Sequence, residues 1–126
     1  MHRNTEQRTA IREVLLRTDR PLSASEIHEG ARRTARGLGI ATVYRNIRRL
    51  LEDGWLVAVD IPGGATHYEV ADKKHHHHFV CRACDRVFEV PECPSELGQI
   101  TPEGFELERH EVWLYGKCPD CQGKKH

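Results

Sequence analysis

The sequence predicts an α+β chain in two parts: an N-terminal winged helix-turn-helix followed by a small α/β domain. Three observations predict it. Helix-period apolar stripes give way to a glycine-turned hairpin by residue 70, two Cys-x-x-Cys pairs bracket the remainder, and charge divides between the halves. With 126 residues, 38% hydrophobic and 30% charged, the chain is long enough for one core or two very small ones and reads as folded. No apolar run approaches the roughly 20 residues of a membrane span, and there is no signal-peptide core. A cytoplasmic location and no membrane partner are therefore expected.

The net charge of zero hides an asymmetry. Residues 1–50 hold eleven Arg against five Asp/Glu, whereas residues 51–126 hold eight Lys/Arg against fourteen Asp/Glu. A basic front and an acidic, His-rich back suit a polyanion for the first and a cation for the second. Uneven solvated faces would give the same imbalance, so charge alone decides nothing.

The elements follow in order. A first helix is expected over 5–17, with Ile11, Val14 and Leu15 on one face until Asp19-Arg20-Pro21 breaks the pattern. Ser23-Ala24-Ser25-Glu26 is a capping box for a second helix that turns Ala24, Ile27 and Ala31 inward. Gly37 and Gly39 mark the next loop. A third helix begins near Ala41-Thr42, buries Val43, Ile47, Leu50 and Leu51, and stops at Gly54. Strand-like runs at 55–60 and 66–70 flank Ile61-Pro62-Gly63-Gly64-Ala65 and form the wing of a domain spanning 1–70. Residues 71–75 read as a hinge. The second domain, 76–126, should hold strands over 78–81, 86–90, 105–111 and 112–117, with a short helix at 95–100. At roughly 50 residues it falls below the size at which an apolar core alone is usually sufficient. It needs a staple.

Cys81/Cys84 and Cys118/Cys121 supply one. Two such pairs let four thiolates converge on a Zn²⁺, and the 33 residues between Cys84 and Cys118 only make the insert larger than in compact zinc ribbons. The expected site is a structural zinc held by all four cysteines. Five cysteines in such a chain argue for metal or redox use over disulfides, and the fifth, Cys93, reads as an ordinary small residue near a loop. His75-His76-His77-His78 runs directly into this knuckle. On a strand His76 and His78 share one side and His75 and His77 the other, so each pair can begin a metal site. Glu69, His67, Glu89, Glu96 and His110 stand in neighbouring segments and could complete them. Such ligands suit Fe²⁺, Mn²⁺, Co²⁺ or Zn²⁺ without choosing strongly. The outer face of the third helix carries Tyr44, Arg45, Arg48 and Arg49, a set suited to phosphates and base edges, and its position between a capped helix and a hairpin favours DNA over mere solvation.

These residues also carry a family likeness. Thr5-x-x-Arg8, the run Gly39-Ile40-Ala41-Thr42-Val43-Tyr44-Arg45, Gly63-Gly64, Tyr68-Glu69, the His75–His78 run into Cys81-Arg82-x-Cys84, and Leu114-Tyr115-Gly116-x-Cys118-x-x-Cys121 resemble the ferric uptake regulator (Fur) family of bacterial metal-dependent repressors. The likeness runs along nearly the whole chain. It implies a winged-helix reader, an α/β dimerisation domain with a four-cysteine zinc site, and a regulatory metal at the hinge held by Glu69, His76, His78 and Glu89. It implies a further site at His75, His77, Glu96 and His110, and DNA contacts from Arg8, Thr42, Tyr44 and Arg45. The family's hinge site often takes a His where Pro21 stands; His28 or His67 could substitute, or the site has one ligand fewer. Ala71 occupies the place where zinc-uptake regulators often put a Cys ligand. The usual leading helix is nearly absent before Thr5, so the expected backbone contacts are either weakened or shifted to Arg3 and Arg8.

The function so implied is a metal-responsive, DNA-binding transcriptional repressor of metal uptake and homeostasis genes, not an enzyme. It would act as a homodimer on a double-stranded, palindromic operator, with Zn²⁺ as structural ion and Fe²⁺ or Zn²⁺ (Mn²⁺ also fits) as regulatory ion. No small organic substrate is expected. The alternatives are a peroxide sensor of the same family, which would tend to carry Asp where Glu69 and Glu89 stand, and, from other classes, a zinc-dependent hydrolase or a metal-storage protein.

Overall fold

The computed structural model describes residues 2–71, 75–93 and 97–122, and the chain divides into two units, Met1–Lys73 and Lys74–His126. The expected hinge, 71–75, falls mostly on residues outside the described set.

The first unit runs α1 (His2–Arg17), β1 (Leu22–Ser23), α2 (Ala24–Ala31), α3 (Ile40–Glu52), β2 (Leu56–Asp60) and β3 (Thr66–Val70). α1 begins three residues earlier than the apolar stripe alone suggested. It buries Ala10, Ile11, Val14 and Leu15. The capping box of α2 is formed: Ser23 Oγ accepts from the Glu26 N–H at 3.2 Å, and Glu26 Oε1 accepts from the Ser23 N–H at 3.0 Å. Arg20 holds the other carboxylate oxygen at 2.8 Å. Burial raises the proton affinity of Glu26, but Arg20 and the Ser23 amide outweigh it and keep the carboxyl below its usual range.

α3 lays Val43, Ile47 and Leu50 into the core formed by Ile11, Ile27 and Leu56, while Leu51 is only partly covered. The three strands form an antiparallel sheet in the order β1-β3-β2, with Leu56 opposite Val70 and Asp60 opposite Thr66. The β2–β3 turn has Pro62 at its second position and Gly63 at its third with φ 73°, closed by the Gly64 N–H to the Ile61 carbonyl at 2.9 Å. A type II turn requires that positive φ, which glycine reaches without strain.

The second unit runs β4 (His77–Cys81), β5 (Val87–Val90), α4 (Leu97–Ile100), β6 (Trp113–Gly116) and α5 (Pro119–Gln122). Its sheet order is β5-β4-β6, antiparallel between β4 and β5 and parallel between β4 and β6. Gly116, opposite Cys81, leaves space for the Phe79 ring, which a Cβ would meet at 3.0 Å. The expected strand over 105–111 is a correction: that stretch is irregular. Phe105 and Leu107 do alternate with polar residues, but both are exposed and, among the described residues, no strand lies alongside to pair their backbone. The expected helix over 95–100 is described only from Leu97. The short α5 around the second cysteine pair was not expected. Among the described residues the buried apolar side chains of the unit are Val80, Cys81, Val87 and Cys118, two of them cysteines.

Candidate metal centres and nucleic-acid face

The four paired cysteines converge. Cys81 ends β4, and Cys84 follows in a tight turn closed by the Asp85 N–H to the Cys81 carbonyl at 2.8 Å. Cys118 immediately precedes α5, and Cys121 lies within it. The sulfurs of Cys81 and Cys121 are 3.6 Å apart, those of Cys84 and Cys118 3.9 Å, and those of Cys118 and Cys121 3.7 Å. Metal–sulfur bonds of about 2.3 Å at tetrahedral angles put sulfur atoms about 3.8 Å apart, whereas a disulfide would bring them to about 2.05 Å. The spacing fits a tetrahedral thiolate site and no disulfide.

Its electrostatics fit a dication as well. The Cys81 thiol is lowered to about 6, chiefly by the Cys118 backbone N–H, whose nitrogen is 3.4 Å from the sulfur. For Cys84 burial works the other way, but the Arg86 guanidinium, at 3.1 Å, brings the net shift down. Cys121 is pushed up to about 12 by its contact with the Cys81 sulfur first and the Cys118 sulfur second. Thiolates this close repel one another, so the set ionises completely only with a cation among them. Arg86 also donates to Cys118 Sγ at 3.4 Å and pairs with Asp120 at 3.2 Å. Its bond to the Cys84 sulfur first, and to Asp120 second, raises its own proton affinity. Sequence reasoning missed this residue, although its place two residues after Cys84 was a usable signal. Arg86→Leu is expected to weaken metal binding by the four-cysteine cluster about 10–100-fold, the usual scale for a lost outer partner, as measured by competition with a chromogenic chelator.

The histidine run divides as strand alternation requires. His76 and His78 share one side, their ring centroids 4.8 Å apart, and His76 Nδ1 lies 3.7 Å from the Glu89 carboxylate on β5. His78 stands opposite Glu89 in the β4–β5 register and stacks on Trp113. Three of the four expected regulatory ligands therefore lie together in the second unit. Glu69 belongs to the first unit, where it is buried on β3 opposite Val57. Of the substitutes considered for the missing hinge His, each has a local partner: His28 Nε2 meets the Leu38 carbonyl at 2.8 Å, and His67 Nδ1 the Ala65 carbonyl at 2.9 Å.

On the other side, His75, His77 and His110 come together, with Nε2–Nε2 separations of 3.1 Å (His75–His77) and 3.2 Å (His75–His110). Glu96, expected with them, lies outside the described residues. The reading of Cys93 as an ordinary loop residue is corrected. Its sulfur is 3.3 Å from His77 Nε2 and 3.1 Å from His110 Nε2. The missed signal was its position just past β5, the strand paired with the histidines. His77 is buried; that burial first, and then the neighbouring imidazoles of His75 and His110, lower its proton affinity.

The outer face of α3 is as expected in exposure. Tyr44, Arg45, Arg48 and Arg49 line it, and the Thr42 hydroxyl accepts a hydrogen bond from Arg45 at 2.9 Å. Arg8 and Arg12 of α1 line a groove with Asn46 and Arg49 of α3, which puts Arg8 beside this helix. Among the described residues no helix is long and apolar enough to cross a membrane.

Metal-ligand clusters in one unit and a basic helix face in the other suit a metal-responsive transcription regulator. The profile of the ferric uptake regulator family matches residues 1–115, and the chain belongs to that family of transcription regulators. It is 32% identical to the ferric uptake regulation protein of Campylobacter jejuni over 96% of this chain and 80% of that protein. It is 33% identical to the zinc uptake regulation protein of Mycobacterium tuberculosis over 95% of each. Among solved structures, the Helicobacter pylori ferric uptake regulator, described as having three functional metal binding sites, matches with TM-score 0.70 at 26% identity, covering 92% of this chain and 79% of that one. A zinc-bound manganese uptake regulator shares the fold at TM-score 0.77 and 24% identity, over 89% of this chain and 87% of that one.

Proposed function

We propose that this chain is a metal-activated repressor of metal uptake and homeostasis genes, binding a palindromic operator as a homodimer. The observation that carries the reading is the grouping of His76, His78 and Glu89 at the start of β4 and on its partner β5, the two strands joined by the first cysteine pair. In this reading 1–70 is the winged-helix reader, 71–75 the hinge and 76–126 the dimerisation and metal-binding domain. Cys81, Cys84, Cys118 and Cys121 hold the structural Zn²⁺. Glu69 joins His76, His78 and Glu89 to hold an Fe²⁺ or Zn²⁺, with Mn²⁺ also fitting the donor set.

Each group has a distinct task. Arg8, Arg48 and Arg49 neutralise phosphates, while Thr42, Tyr44 and Arg45 face the groove. Glu69 lies near the end of the reader's last strand, only a few residues before His76, so a ligand set drawn from both sides of 71–75 restricts the angle between reader and dimer core. The regulatory ion supplies that restriction when bound. Two readers held at the spacing of a two-fold operator bind it together; unconstrained readers do not. Dimerisation is supported by the exposed apolar residues of the second unit, Ile100, Phe105, Leu107, Leu114 and Tyr115, which a second copy would cover.

The test is fluorescence anisotropy on an inverted-repeat operator with chelated protein, titrated separately with Fe²⁺, Mn²⁺ and Zn²⁺. At least one is expected to raise affinity severalfold, and equal affinity with and without every metal would overturn the reading. Arg45→Ala should cost about 1–3 kcal/mol of operator binding at saturating metal if it reads a base edge, with dimer and zinc content unchanged.

A further inference from the structure

We propose that His75, His77, Cys93 and His110 form a second thiolate-containing metal site, tetrahedral, which favours Zn²⁺ or Co²⁺ over harder ions such as Mn²⁺. It rests on the reading of the second unit as the metal-binding half, and it changes the ligand expected there: Cys93 takes the place given to Glu96 by family likeness.

Three separate segments deliver the four donors: the entry to β4, the stretch after β5, and the residue three before β6. Their ligand atoms all lie within 4.8 Å of one another, and four of the pairs are 3.1–3.3 Å apart. Metal–nitrogen bonds of about 2.0–2.1 Å and a metal–sulfur bond of about 2.3 Å give tetrahedral edges of about 3.3–3.6 Å, so the cluster is already close to bound size. A cluster of mutually hydrogen-bonded imidazoles needs no cation, but it does not explain why a thiol and three Nε2 atoms turn to one point.

The donor set decides the ion. Three neutral imidazoles and one thiolate suit borderline ions in a four-coordinate site; Mn²⁺ prefers oxygen and more ligands. Loading breaks the Cys93 S–H bond, the sulfur lone pair forms the metal bond, and the proton passes to solvent. His77 needs a further adjustment. Its Nδ1 accepts from the Val112 N–H at 3.2 Å, so a neutral ring keeps its proton on Nε2. When Nε2 turns to the cation, that proton moves to Nδ1 and the Val112 contact opens.

The test uses the full chain with one zinc retained per chain in the four-cysteine cluster, titrated with Co²⁺ while zinc release is monitored. A near-ultraviolet thiolate-to-cobalt charge-transfer band is expected without zinc loss. Cys93→Ser should lose it, and Glu96→Gln should keep it. Cys93→Asp should bind Co²⁺ without the band, which separates ligand loss from misfolding. Absence of the band in the parent protein, its persistence in Cys93→Ser, or its loss in Glu96→Gln would overturn the proposal. Visible ligand-field absorption removed by His76→Ala reports the hinge site instead, so the two readings can fail independently.

Discussion

Cys81→Ser is expected to unfold the second unit and abolish dimerisation, the largest effect of any single substitution in this chain. Cys81 is fully buried and its carbonyl accepts the Asp85 amide that closes the knuckle. Its sulfur both lies 3.6 Å from that of Cys121 and accepts the Cys118 amide. Removing it takes a thiolate from the proposed zinc site, and the neutral serine hydroxyl that replaces it is a poor ligand for the ion. Structural zinc contributes roughly 10–16 kcal/mol of apparent binding energy in small domains, comparable with or above the whole stability of about 5–15 kcal/mol typical of a folded domain. The other buried groups, Val80 and Val87, cannot replace it. Size-exclusion chromatography with metal analysis checks the outcome: monomeric or aggregated protein with less than one zinc per chain is expected. A variant that stayed dimeric with full zinc would contradict the role of staple.

Glu69→Ala combined with His76→Ala is expected to act in the opposite way, abolishing the metal response while leaving zinc content and dimer intact. His76 lies against Glu89, and it belongs to a different ligand group from the four cysteines. Coupling energies between an effector and a ligand are typically about 1–3 kcal/mol, or roughly 5–150-fold in affinity, and the double substitution should remove all of it. Operator affinity with metal would fall to its metal-free value. A double variant that still tightened on the operator when metal was added would place the regulatory ion elsewhere, and the three-histidine cluster with Cys93 would be the first candidate.

Much of this was legible because local rules and tertiary needs agree. The stripe Val43, Ile47, Leu50 has one possible interior side, and Ser23 with Glu26 has one obvious partner arrangement, so helices and cap follow directly from residue types. The strand period alone separated His76 and His78 from His75 and His77. The paired cysteines were legible because their spacing fixes their geometry. Less was readable where a contact depends on where an irregular segment goes. Cys93 sits past the end of β5 with no periodicity to aim it, and only the path of the chain brings it to His77 and His110. Arg86 is a common residue type, and its far partner, Cys118, stands 32 residues further along the chain. The stretch 105–111 has the alternation of a strand, yet pairing needs a neighbour, and no pattern within that stretch says whether one exists.

The central claim is that two classes of metal site divide the work: the four cysteines hold the fold, and the histidine–glutamate set carries the signal. The most direct measurement is operator anisotropy on protein stripped to one zinc per chain, with the second metal then added back. Weak binding that tightens severalfold with the added ion, in the dimer throughout, is the predicted result. Full affinity at one zinc per chain, unchanged by added metal, would contradict it.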